Sequence, residues 1–125
     1  MGTVSDLVAN SWLDALCRAV AYSEAAFWCK LHLGDPGAAG TTSPAAHTTR
    51  IQATFGNAAA SRAITNTVAV EWTSLSAAET ITWISVWDAS AAGNFLGRDD
   101  LSSSAIVAIG DTLRIPIGDL DLTIT

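Results

Sequence analysis

The densest grouping of chemically capable side chains in this chain is Cys29-Lys30-Leu31-His32, with His47 the only other histidine. Cysteine and histidine are zinc-ligand types, but a shared ion needs both on one side of the backbone. In an extended strand alternate residues face opposite ways, so Cys29 and His32, three apart, cannot share one. Acyl transfer would need a nucleophile, a base and an orienting group brought together. The serines and two histidines supply the types without the spacing, for no GxSxG, HExxH, P-loop or GxGxxG pattern occurs. Asp99 and Asp100 adjoin Arg98 in a predicted turn, where a solvated acidic cluster is the plain reading. Asp35, Asp88, Asp111, Asp119 and Asp121 fall in or beside turns, where a carboxylate hydrogen-bonds its own backbone. No EF-hand spacing joins them. No catalytic, metal or cofactor residue is assigned, and the chain reads as non-enzymatic.

The composition narrows the partners. At 125 residues the chain is long enough to bury one core, and residues 1–125 read as a single domain. Half of the residues are hydrophobic and only 14% are charged, so some apolar surface is expected to lie against other subunits. The net charge of -6 argues against nucleic acid, which calls for a basic stripe; Lys30 is the only lysine and the arginines are scattered. No apolar run approaches the roughly 20 residues that span a bilayer, so no membrane partner is expected. Asp6 and Asp14 stand where a secretory signal would be basic and then apolar, so synthesis and folding in a bacterial cytoplasm are expected. In a reducing compartment Cys17 and Cys29 read as two buried free thiols.

The elements that must position these residues follow from periodicity. Val4, Val8, Trp12, Leu16 and Val20 recur every four residues, predicting an amphipathic helix over 4–22 capped by Thr3 or Ser5. From Phe27 to Leu33 the pattern alternates, with Trp28, Lys30 and His32 on a predicted solvent face. Gly34-Asp35-Pro36-Gly37 is a turn signal that opens a loop over 34–47, long enough in a small domain to suggest a contact-making arm. Further strands are predicted over 48–55, 67–72, 81–88, 94–98, 105–109, 112–117 and 120–125. Ile81, Trp83 and Trp87 take one face of their strand and Ile84 and Val86 the other, so that strand should be covered on both sides. Leu113, Ile115 and Ile117 are in phase with Leu120, Leu122 and Ile124, predicting a hairpin around Gly118-Asp119. The fold class expected is mainly β: an antiparallel β-sandwich or small barrel over 27–125 with one N-terminal amphipathic α-helix.

The succession Leu31-His32-Leu33-Gly34-Asp35-Pro36-Gly37, Arg50-Ile51-Gln52-Ala53-Thr54-Phe55-Gly56, Thr65-Asn66-Thr67, Trp87-Asp88-Ala89, Gly93-Asn94-Phe95-Leu96-Gly97 and Gly110-Asp111-Thr112-Leu113 spans nearly the whole chain. It resembles the small structural proteins of bacteriophage virions called tail-fibre or minor tail proteins, of the type frequent in phages of actinobacteria. The resemblance implies a virion component without catalytic residues. It carries no extended stalk or repeat, which implies a compact module attached to something larger.

The leading expectation is thus a structural subunit that docks on other virion proteins, as a homo-oligomer or symmetric array. A capsid decoration protein and a module binding host-surface glycan are the alternatives. Exposed tryptophans are the natural anchors. The interface candidates are Trp12, Trp28, Lys30, His32, Asp35, Pro36, His47, Trp83 and Trp87.

Overall fold

The computed structural model describes residues 3–23 and 26–123. In chain order the elements are β1 (Thr3–Val4), α1 (Asp6–Arg18), β2 (Phe27–His32), β3 (Ile51–Ala53), β4 (Ala63–Thr65), β5 (Val70–Trp72), β6 (Glu79–Trp87), β7 (Phe95–Val107), β8 (Leu113–Ile115) and β9 (Asp121–Thr123). One antiparallel sheet runs β1-β7-β6-β2-β3, and two antiparallel ribbons pair β4 with β9 and β5 with β8. Among the described residues the fold is mainly β with one N-terminal helix, and no sheet closes into a barrel.

The helix is shorter at both ends than its apolar period suggests. Ser5 is the cap, its Oγ accepting the Val8 N–H at 3.3 Å. Thr3 and Val4 pair instead with Arg98 and Gly97. Any side chain at 97 would hit this edge, since a Cβ there would stand 2.8 Å from the Thr3 carbonyl oxygen. At the other end Ala19 adopts a left-handed conformation (φ 55°) and stops the helix.

In the central sheet Trp28 pairs with Trp87, Cys29 with Val86, Lys30 with Ser85, Leu31 with Ile84 and His32 with Trp83. Cys29, Leu31, Ile84 and Val86 enter a core with Ala53, Val70, Trp72, Leu96 and Leu120. The predicted strands at 94–98 and 105–109 are one strand, β7, carried across a register shift: Ile81 pairs with Ala105 but Trp83 with Asp100. Ile81 joins Ile84 in the core beside that irregularity.

The hairpin expected around Gly118-Asp119 does not form. β8 pairs with β5 and β9 with β4. Pro116 has no N–H to give to a ladder, and the buried Asn66 captures the turn instead. Its Nδ2 donates to the carbonyls of Val68 and Pro116, and its Oδ1 accepts the N–H groups of Gly118 and Leu120, all within 3.0 Å. Ile124 lies outside the described residues. The thiols also differ from expectation: Cys29 is buried, whereas Cys17 is free and exposed on α1.

Strand β6 is covered on both sides. The core lies on one face, and the 34–47 segment reaches part of the other, where the Thr42 carbonyl meets His32 and Gly40 meets the Phe95 ring, so that segment is not a projecting arm. Leu33 N–H donates to the Ser43 carbonyl, Ala45 N–H to the Leu31 carbonyl, and His32 bridges to Pro44. The segment therefore occupies the edge of β2 beyond the reach of β3, which pairs only with Phe27, Trp28 and Cys29. Gly40 (φ 71°) lies directly on the Phe95 ring, where a Cβ would collide.

Candidate functional site

Three constellations come together in the fold. The first is a buried polar chain. His32 and Ser85 are both 0% exposed, and Nε2 of His32 lies 2.8 Å from Ser85 Oγ. Nδ1 lies 2.8 Å from the Thr42 carbonyl oxygen, which can only accept, so Nδ1 carries the proton. In the neutral ring Nε2 then accepts from the Ser85 hydroxyl, and Ser85 Oγ accepts from Trp87 Nε1 at 2.8 Å. Burial holds the imidazole below its ordinary pKa, partly offset by the Thr42 contact. A serine hydroxyl on an oriented imidazole is the geometry of a nucleophile and base. Here the Trp87 N–H engages Oγ and no surface of either residue is open, so the arrangement clamps the loop to the sheet. Sequence reasoning missed Ser85, which lies 53 positions from His32.

The second constellation is aromatic and cationic, on the same face of the sheet. Trp87 is 8% exposed, packs on Phe95 with centroids 5.5 Å apart, and carries the Arg50 guanidinium 4.0 Å above its ring. Trp28, paired with Trp87, and Lys30 beside it are only partly buried, as is Trp83. Asp35 pairs with Arg98 at 3.1 Å and accepts the Gly37 N–H at 2.8 Å. Pro36 is buried and His47 partly so. Of the nine predicted interface residues, His32, Pro36 and Trp87 are thus internal, while Trp12, Trp28, Lys30, Asp35, His47 and Trp83 retain surface.

The third is apolar. The helix buries only Val8 in its own chain. Trp12, Leu13 and Leu16, on the same helical arc, remain 40%, 60% and 83% exposed. Val8 and Trp12 line a cavity of about 490 Å³ together with Phe27, Phe55, Ile84, Val86, Leu96 and Leu120. Arg62 stands at its border, in a left-handed conformation (φ 64°) next to a second left-handed residue, Ser61. Arg62 makes no ion pair among the described residues. Leu13 and Leu16 belonged to the predicted helix but were absent from the predicted anchors, where tryptophan was favoured.

A cleft of about 580 Å³ between the irregular stretch of β7 and β8 is lined by Asp99, Asp100, Arg114, Asp119 and Asp121. Burial pushes the Asp99 carboxyl above its ordinary pKa. Among the described residues no three of His, Cys, Asp and Glu are grouped to hold a metal, and no helix is long and apolar enough to cross a membrane.

A protein-family model described as Podophage GP4 fiber I protein gp80 matches residues 3–123. A search of curated proteins finds no match.

Proposed function

The chain belongs to the podophage GP4 fiber I protein gp80 family, and on that premise we propose that it is a non-enzymatic fibre subunit of the virion that assembles through α1 and the adjoining cavity. The family description favours a fibre over a capsid decoration. The observation that carries the mechanism is an open apolar cavity lined by the exposed Trp12, with Leu13 and Leu16 exposed further along the same helix.

The occupant we propose is a second copy of this chain. Each copy offers both halves of the contact: apolar knobs on α1 and a cavity that would accept them. The charges match as well, because Arg62 in the cavity lining makes no ion pair among the described residues and Asp6 lies on the helical arc next to Leu13. Burying an exposed leucine contributes ~1.5–3 kcal/mol. Association itself costs about 4–15 kcal/mol. Two leucines therefore do not suffice alone, and Trp12 and the cavity lining must be covered with them.

Cys17 reports on the edge of this surface, since it is exposed on α1 one turn after Leu13, while Cys29 is silent, fully buried with its thiol pushed up to about 12. Maleimide labelling of Cys17 should be slow in concentrated protein and accelerate on dilution. Labelling at one rate across all concentrations would refute the assembly reading.

A further inference from the structure

The cleft of about 580 Å³ beside β7 runs along strand edges rather than over a sheet face. Its lining takes in consecutive residues, 99–105 of β7 and 113–116 around β8. Side chains alternate across a strand, so a cavity over one face would meet every second residue. Both edges are unpaired among the described residues. The outer edge of β7 is covered by β1 only at Gly97 and Arg98, and β8 pairs only with β5. On its inner side β7 carries residues 101–104 between the pairs Ile81↔Ala105 and Trp83↔Asp100, with only Thr82 across from them.

The cleft is apolar within and acidic at its rim. Leu101 and Ala105 of β7 and Leu113 and Ile115 of β8 line it, each half-buried against the core. Asp100, Asp119 and Asp121 stand exposed around it, and Asp99 is half-buried. Arg114, the only basic residue in the described lining, is drawn off by Glu71 at 3.3 Å. An unpaired edge accepts an extended peptide through main-chain hydrogen bonds, and flanking pockets choose its alternate side chains. The bulge twists β7 out of line with a flat partner sheet, which suits one added strand over contact between whole sheets. The carboxylates select a basic segment. Another copy of this chain is a poor source of one, with 6 basic residues against 12 acidic.

We propose that the cleft between β7 and β8 holds one extended, basic segment of another protein. Alternate apolar side chains of that segment enter between Leu101, Ala105, Leu113 and Ile115. Its lysines or arginines lay their aliphatic stems over the walls and bring their charges to the aspartates at the rim. No residue of α1 lines this cleft, so the proposal stands apart from assembly through the helix.

The test is calorimetric titration of the full chain with a capped peptide, Thr-Lys-Val-Lys-Val-Lys-Thr. Three control peptides change one property each: glutamate for lysine, serine for valine, and backbone N-methylation of the three central residues. The expected result is binding of the lysine–valine peptide, with each control at least about tenfold weaker, a difference of about 1.4 kcal/mol. Asp100→Asn with Asp119→Asn should weaken that binding about fivefold or more and leave circular dichroism unchanged, since both residues are exposed. Absence of binding by the lysine–valine peptide overturns the proposal. So does any control that binds within about tenfold of it, or a folded double variant that binds it as tightly as the parent chain.

Discussion

His32 Nε2 and Ser85 Oγ lie 2.8 Å apart with neither residue exposed, and through Nδ1 the same imidazole holds the carbonyl of Thr42. One ring thus ties strand β2 to strand β6 and to the loop folded over both. Ser85→Ala would leave Nε2 of His32 and Nε1–H of Trp87 buried without partners. Each unsatisfied group costs about 1–3 kcal/mol. Urea denaturation should show a loss of about 2–4 kcal/mol, and proteolysis should begin within 34–47. A variant within 0.5 kcal/mol of the parent, about the scatter of ordinary surface substitutions, would mean the contact carries no stability.

The same ring gives a pH dependence whose sign is fixed. Burial lowers the folded pKa of His32 below 6.5, so between that folded value and 6.5 the unfolded chain binds more protons. Stability is fully present above 6.5 and is lost as pH falls through the window, at no more than about 1.4 kcal/mol per pH unit for one group. His32→Gln should flatten this part of the profile in denaturation at pH values on both sides of 6.5. An unchanged slope would place the pH dependence elsewhere.

Asn66 fixes how the chain closes. Its side chain makes four hydrogen bonds that hold the turn at Gly118 and send the following residues to β4 rather than β8. Asn66→Asp replaces the Nδ2 donors by an acceptor opposite two carbonyls, and should cost more than Asn66→Ala, itself about 2–4 kcal/mol. Thermal denaturation of the two variants checks the order. If aspartate is tolerated as well as alanine, the donors are not used.

The sheet was legible because its strands alternate, and β2 and β6 fall within a residue or two of their expected bounds. Alternation depends only on the two faces of a strand, so it survives without tertiary context. The rest was set by distant contacts. Strand β4 is a three-residue piece at the end of an alanine-rich stretch, fixed only by pairing with β9. The polar run Asp99–Ser104 made β7 look broken, although β6 carries it through a register shift. The pairing of β8 and β9 turned on Asn66, about 50 positions away. The enrichment of tryptophan at interfaces put Trp87 among the candidate anchors with Trp12, Trp28 and Trp83, whereas Ser85, Arg50 and Phe95 draw it inward. The exposed surface on α1 lies with Leu13 and Leu16, residue types that sequence alone assigns to the core.

The central claim is that copies of this chain meet through α1, and the mass of the purified chain in solution tests it most directly. Leu13 and Leu16 are 60% and 83% exposed, so Leu13→Asp with Leu16→Asp should leave the fold of one copy, and its circular dichroism, unchanged. Light scattering on a sizing column should give the parent a mass that is a multiple of 12.9 kDa, and the double variant 12.9 kDa itself. A parent of 12.9 kDa at every concentration, or a folded double variant with the parent's larger mass, would contradict the account.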